Sequence, residues 1–203
     1  GVVAIVAALA RVARATVQPR RGWLLVAGLG FVSLLLSLAL GAWGAALLAG
    51  GRRVVPAPLD EAIVHLQVFG FAVSVALAVS LQVFPRFLVL QPTRAGALPP
   101  ALAGYALGLA AATASRLLEQ GAGPSPASDW LWAAGAWLEL GSLATLLWAL
   151  RLYHPPARPS NTPSVTNPTR RWFRMAYGWL LVGATLLALL ATRQALGQGA
   201  VAV

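Results

Sequence analysis

The sequence predicts an all-α integral membrane protein, a helical bundle with about five full transmembrane helices and a partial helix at its N-terminus. Apolar residues make up 59% of the 203 positions and charged residues only 10%, against about 25% charged in ordinary soluble domains. The apolar residues fall into separate blocks of about 20, the length that crosses the hydrocarbon core as a helix. The charged residues stand mainly between these blocks and include fifteen basic residues, all of them arginine.

The five apolar blocks cover approximately residues 23–48, 59–84, 99–118, 130–152 and 172–191. Glycine and proline stand in every connection, as is typical of helix ends. The longest connection, Pro155–Thr169, is rich in Pro, Ser, Thr and Asn and is predicted to be a loop. Residues 1–10 are apolar and precede a cluster of arginines that begins at Arg11. Residues 1–16 are predicted to be the tail of an earlier helix or an interfacial helix. We therefore expect a single transmembrane domain over 1–203 that belongs to a longer chain.

The arginines predict the orientation of the bundle. The connections on one side carry eleven arginines and no acid, whereas the other side carries four arginines and four acids: Asp60, Glu61, Glu119 and Asp129. Under the positive-inside rule, the first side faces the cytoplasm, in a bacterial inner (cytoplasmic) membrane. Membrane lipid is the expected partner of these arginines. Nucleic acid is not expected, because the arginines do not follow one solvated face.

The sequence lacks residue types and motifs that several kinds of site require. Without cysteine, the chain cannot form disulfides, iron–sulfur clusters or thiolate metal sites. It has no glycine-rich phosphate loop, no HExxH and no Ser–His–Asp set, so a self-contained hydrolase or nucleotide enzyme is not indicated. The functional candidates are therefore the few ionisable residues inside the apolar blocks, where such residues are costly.

His65 is the first candidate. It lies about 9 Å inside the second block, and neutral imidazole is a common ligand of haem iron and of copper. Glu61 lies one turn earlier on the same helix face and could hold the second ring nitrogen, as metal-bound histidines require. The alternative is an interfacial Glu–His pair that binds nothing. His154 lies near the opposite membrane surface, so it cannot share a metal with His65 and is expected in a solvated loop.

Glu139 is the second candidate, about 14 Å inside the fourth block and near the midplane. A carboxylate at this depth must be protonated, paired or hydrated, so Glu139 could carry a proton or bind a cation. The alternative is a protonated acid that hydrogen-bonds to a neighbouring helix or to Ser142. Arg116 is expected to pair with Glu119 or with an acidic group of a cofactor, or to extend to the surface. The spacing of Gly104 and Gly108 predicts close helix packing.

The second block also carries a longer pattern, His65-Leu66-Gln67-Val68-Phe69-Gly70-Phe71, followed by a helix that ends in Phe84-Pro85-Arg86-Phe87. It resembles the NnrS family of many-helix bacterial membrane proteins, which are associated with haem, copper and nitric-oxide stress and are distantly similar to haem–copper oxidase subunit I. The segment Arg171–Leu190 is similar to the penultimate stretches of that family. The resemblance implies that His65 ligates haem b or copper, and that further histidine-bearing helices would complete the centre.

Three hypotheses follow for the function. The first is a haem- or copper-binding membrane protein of NnrS-like type, in respiratory or nitric-oxide-related chemistry. In it His65 is the metal ligand, Glu61 holds the second ring nitrogen of His65, and Glu139 carries a proton. The second is a non-catalytic scaffold subunit that contacts other membrane subunits through Gly104 and Gly108. The third is a proton-coupled transporter centred on Glu139.

Overall fold

All regular elements of the described residues are helical, which confirms the all-α prediction. In the computed structural model of the protein, these residues are 22–88, 90–154 and 163–201, so the N-terminal helix predicted over residues 1–16 lies outside them. The elements are α1 (Gly22–Ala49), α2 (Ala57–His65), a π-helix (Leu66–Val73), α3 (Ser74–Phe87), a 3₁₀ turn (Ala95–Ala97), α4 (Leu98–Ala122), α5 (Pro126–Leu150) and α6 (Pro163–Val201).

Five helices in this part of the chain are long and apolar enough to cross a membrane. The elements α2, the π-helix and α3 run on without a break and form the second of these five, called the second helix below. The multi-pass membrane protein that the apolar blocks predict is therefore confirmed.

The helix ends differ from the predicted ones where local chemistry sets them. Helix α5 begins at Pro126, before the predicted residue 130, because Ser125 and Ser128 form a capping box around its first turn. Helix α4 extends beyond residue 118 to Ala122 and stops at Gly123, whose φ of 85° ends the helix. Helix α6 begins at Pro163, so the last part of the predicted loop Pro155–Thr169 is helical and that part of the prediction is wrong.

The helices pack mainly against their neighbours in sequence: α1 on the second helix, α2 on α4, α4 on α5 and α5 on α6. The closest approach is between α4 and α5. A Cβ atom added to Gly108 would lie 2.9 Å from the backbone nitrogen of Glu139, and one added to Gly135 would lie 2.8 Å from that of Ala112. The close packing that Gly104 and Gly108 predict therefore occurs inside this chain, against α5.

Large apolar side chains cover the outer surface of the bundle. Phe31 is 59% exposed, Leu38 58% and Leu190 62%. Exposure on this scale is unfavourable in water but suits lipid, which is as apolar as these side chains. The exposed Trp172 lies near the start of the fifth membrane helix, where indole rings favour the membrane interface. The exposed Trp179 lies about two turns further along the same helix.

The arginine-rich end of the bundle is held by contacts to backbone carbonyls. Arg174 donates from Nε to the carbonyl of Leu152 (3.0 Å) and from Nη2 to that of His154 (3.2 Å), and Arg170 also donates to Leu152. These acceptors follow the C-terminus of α5, where carbonyls lack helical partners and a positive charge is favourable. The arginines thus tie α6 to the end of α5.

Candidate functional site

The two intramembrane candidates, His65 and Glu139, meet in the interior of the bundle. His65 is the last residue of α2 and Glu139 lies midway along α5, yet the His65 Nε2 atom is 2.8 Å from the Glu139 Oε1 atom. His65 is only 5% exposed and Glu139 only 1%. The structure therefore joins two residues that the sequence analysis had treated as separate candidates.

Gly108 on α4 leaves room for the side chain of Glu139. A Cβ atom at Gly108 would lie 2.7 Å from the Cγ atom of Glu139, so any larger residue there would push the carboxylate away. The imidazole of His65 is fixed by two aromatic rings: Phe69 stacks on it at 5.1 Å between ring centroids, and Trp132 meets it edge-on, also at 5.1 Å. Both members of the pair are thus held by rigid neighbours.

The His65–Glu139 pair lies where an uncompensated charge would be costly. A net-neutral pair, either imidazolium with carboxylate or neutral imidazole with carboxylic acid, avoids most of that cost. Both forms hold the same number of protons and differ only in where one of them lies. The second carboxyl oxygen, Oε2, is buried and makes no hydrogen bond to the described residues. It is therefore available to a proton or to another donor.

The π-helix begins directly after His65 and is held on two sides. The hydroxyl of Tyr105 on α4 donates a hydrogen bond to the carbonyl of Phe69. On the other side, a Cβ atom at Gly70 would lie 2.5 Å from the Cβ atom of Ser33 on α1, so the two backbones approach closely there. π-Helices are rare and occur often at functional sites. Phe69, whose ring stacks on His65, lies within this π-helix.

Arg116 is 6% exposed and lies at the end of the bundle that carries the four acids, called the acidic end below. Its Nη1 atom is 2.7 Å from Glu119 Oε2, so of the alternatives that the sequence left open the pair with Glu119 is the one that forms, and its Nε atom is 3.0 Å from Glu61 Oε2. Its guanidinium group also lies 4.3 Å from the ring centroid of Trp132. Glu61, expected behind the ring of His65, instead contacts Arg116, because a buried guanidinium group needs a carboxylate partner.

Two further residues join this cluster and were not singled out from the sequence. Gln194 on α6 donates from Nε2 to Asp129 Oδ1 (2.7 Å), and its Oε1 atom accepts from Arg116 Nη2 (3.5 Å). Asp129 is 2% exposed, although its place in the first turn of α5 suggests only a favourable helix-dipole contact. The one sequence signal for Gln194 is that it is a polar residue near the end of an apolar block.

A cavity of about 640 Å³ lies beside the pair, between the second helix and α6. Trp132 of α5 lines it, together with His65, and its polar lining also includes Asp60, Glu61, Arg116 and Gln194. His154 is remote from this cavity, at the arginine-rich end, where its carbonyl accepts from Arg174. The predicted separation of the two histidines therefore agrees with the structure.

The side chains at the pair do not form a complete metal centre. Among residues 22–88, 90–154 and 163–201, no group of three or more His, Asp or Glu side chains is placed to hold a metal ion. His65 and Glu139 could supply two ligands, and the Nε2 atom of His65 already contacts Glu139. A closed metal site normally needs four ligands and a catalytic one three.

Comparisons of this chain with models of protein families, with curated proteins and with solved structures find no match.

Proposed function

We propose that this protein is a proton-coupled membrane transporter in which the His65–Glu139 pair takes up and releases the proton. The observation that supports this most is the pair itself, a buried imidazole–carboxyl contact between two transmembrane helices, beside a cavity. A buried ionisable pair is a poor way to stabilise a fold, because apolar residues of similar volume do as well or better. Ionisable groups inside membrane helices more often mark a path for ions or protons.

The pair could couple the proton to a cation by charge balance. With its proton the pair is neutral, and without it the pair carries one negative charge in an apolar surrounding, which is unfavourable. A cation in the adjacent cavity would compensate that charge, so loss of the proton and binding of the cation favour each other. Return of the proton would in turn weaken cation binding. Exchange of protons for cations follows from this competition.

The surroundings of the pair suit such an exchange. The carboxylates of Asp60 and Glu61 line the cavity at its acidic end and raise the local concentration of cations. Helix α6 packs chiefly on α5 and meets the second helix through a few side chains, such as the hydrogen-bonded Tyr177 and the ring of Phe173. Widening the space between α6 and the second helix would therefore break a small set of contacts. The π-helix next to His65 offers a local change of helical register.

The test is an infrared difference spectrum of the purified protein between acidic and alkaline buffer, with Glu139→Gln beside the wild type. We expect a carboxylic-acid band that changes with pH in the wild type and is absent in Glu139→Gln. Ser142→Ala, one turn away on α5, serves as the control and should keep the band. Proteoliposomes with an internal pH dye then report whether Glu139→Gln abolishes proton movement. A Glu139→Gln variant with unchanged bands and unchanged proton flux would contradict the proposal.

A haem- or copper-binding protein is the second candidate, and one observation favours it. Metal-bound histidines usually have their other ring nitrogen held by a carboxylate, and Glu139 provides such a carboxylate for His65. Haem b or copper at His65 would supply redox chemistry or gas binding, and Glu139 would orient the ring. In this view the resemblance to the NnrS family and its nitric-oxide-related chemistry remain a prediction.

Optical spectra test this second candidate, air-oxidised and dithionite-reduced, for wild type and His65→Ala. A Soret band that shifts on reduction and is lost in His65→Ala would favour haem. Copper is checked by metal analysis of the same samples. If iron and copper are both absent from the carefully purified protein, the metal hypothesis is contradicted.

The scaffold hypothesis has less support. Gly104 and Gly108, expected to contact other membrane subunits, lie against Ser142 and Glu139 of this chain. That helix face is therefore occupied within the bundle.

A further inference from the structure

Two cavities lie one after the other between the second helix and α6, one of about 640 Å³ at the acidic end and one of about 690 Å³ toward the arginine-rich end. Val68 lines both, and the two together are called the groove below. The rims are open toward the lipid, since Val64 is 50% exposed and Leu190 62%. Each cavity is within the size range of small-molecule sites, about 300–1,000 Å³.

The two cavities differ in polarity. The first combines apolar walls with charged and polar side chains: Asp60, Glu61, His65, Arg116 and Gln194. The second is lined by apolar side chains apart from Ser80 and Tyr177, whose hydroxyl groups are hydrogen-bonded to each other. A molecule that fits both cavities therefore has a polar head and an apolar tail.

The charges select the sign of the head. The one guanidinium group in the lining, that of Arg116, already faces Glu61 and Glu119. Asp60 adds another carboxylate on the exposed first turn of α2. Among the charged side chains of this cavity lining, two carboxylates thus stand against one guanidinium group, so an anionic head would be repelled and a cationic one attracted.

We propose that this groove binds an amphipathic organic cation. The cationic head lies near Asp60 and Glu61, and the apolar tail passes Val68 into the second cavity. Such a molecule enters sideways from the lipid, where it already concentrates. Its role as the cation that is exchanged for the proton rests on the proposed function, whereas its binding does not.

The test is equilibrium binding of radiolabelled decyltrimethylammonium to the protein in lipid nanodiscs, with empty nanodiscs as background. We expect a saturable component that decyl sulfate, with the same tail and an anionic head, does not displace. Asp60→Asn should weaken binding about threefold, since exposed charge pairs contribute modestly. Glu119→Gln removes the same charge at the same end, but Glu119 lines neither cavity and acts on the first one only through Arg116, so this variant should weaken binding less.

A second pair of variants tests the groove by its shape. Leu190→Trp places a large ring in the first cavity and should weaken binding about tenfold. Leu189→Trp is the matched control, because Leu189 is also exposed but lines neither of these cavities. Equal effects of the two variants would overturn the proposal. The absence of saturable binding would also overturn it, and is the result expected if a second copy or another segment of chain fills the groove. Efficient displacement by decyl sulfate would overturn it as well.

Failure of this inference can be told apart from failure of the proposed function. The binding measurement uses no gradient, and the infrared bands of Glu139 use no ligand. Saturable binding with pH-independent infrared bands would support the groove and contradict the proton-carrying pair. A pH-dependent Glu139 band without saturable binding would overturn the groove alone.

Discussion

Any side chain at position 108 should destabilise the contact between α4 and α5. In Gly108→Ala, the new Cβ atom would lie 2.9 Å from both the nitrogen of Glu139 and the carbonyl oxygen of Gly135. Ordinary contacts begin near 3.4 Å, so the two helices must separate by about 0.5 Å. Because both obstacles are backbone atoms, no rotamer change can relieve the overlap. Overpacking of this kind costs about 1–3 kcal/mol of unfolding free energy.

Two other glycines in the same pair of helices provide graded controls. In Gly104→Ala, the close atom is the hydroxyl oxygen of Ser142 at 2.5 Å, a side chain that can rotate, so the cost should be smaller. In Gly141→Ala, no atom lies within 4 Å of the new Cβ, and the better helix propensity of alanine should stabilise by up to about 1 kcal/mol. The expected order of stability is Gly141→Ala, wild type, Gly104→Ala and Gly108→Ala.

The assay is unfolding of the detergent-solubilised protein by sodium dodecyl sulfate, followed by circular dichroism, with oligomeric state measured in parallel. A Gly108→Ala variant as stable as the wild type, or more stable than Gly104→Ala, would refute the packing argument. If Gly108→Ala dissociated an oligomer and left the unfolding of the subunit unchanged, the glycines would serve a partner, as the scaffold hypothesis holds.

Three further predictions concern side-chain contacts. Glu139→Leu should cost about 1–3 kcal/mol by leaving the imidazole of His65 unpaired, and adding His65→Leu should recover part of that loss in a double-mutant cycle; additive effects would argue against the pair. Tyr105→Phe should cost about 1 kcal/mol and speed amide exchange of the π-helix, and unchanged exchange there would contradict the role of its hydroxyl. Arg174→Leu should cost about 0.5–1 kcal/mol by freeing carbonyls after α5, whereas the charge-matched control Arg171→Leu should cost less.

The membrane helices could be predicted because the length of an apolar block is a local property. A block of about 20 residues crosses the bilayer whichever way it faces, so its sequence alone determines it. The direction in which each face of a helix points is not a local property, because it depends on the neighbouring helices. Depth along the helix placed His65 at about 9 Å and Glu139 at about 14 Å, a difference that their side chains and the helix tilt can bridge, yet depth alone did not indicate that they face each other.

The position of Glu61 shows how a distant residue can override a local rule. Glu61 and His65 are four residues apart on α2, a spacing that permits side-chain contact. The carboxylate of Glu61 nevertheless contacts Arg116, which arrives from α4. A buried guanidinium group needs carboxylate partners, and the Nε2 atom of His65 is already paired with Glu139. Sequence spacing describes what one helix allows, whereas the charge brought by its neighbour decides which contact forms.

The small residues of α4 connect the fold to the proposed chemistry. Gly108 lets Glu139 on α5 extend past α4 to His65 on α2, although α2 and α5 otherwise make little contact. The His65–Glu139 pair is therefore a main link between the second helix and α5, which form one wall and the back of the groove. In the proposed exchange, a change in its protonation would act on the relative position of these two surfaces. A cation near Asp60 and Glu61 would act on the same surfaces from the acidic end, so that proton and cation would compete without sharing a ligand atom.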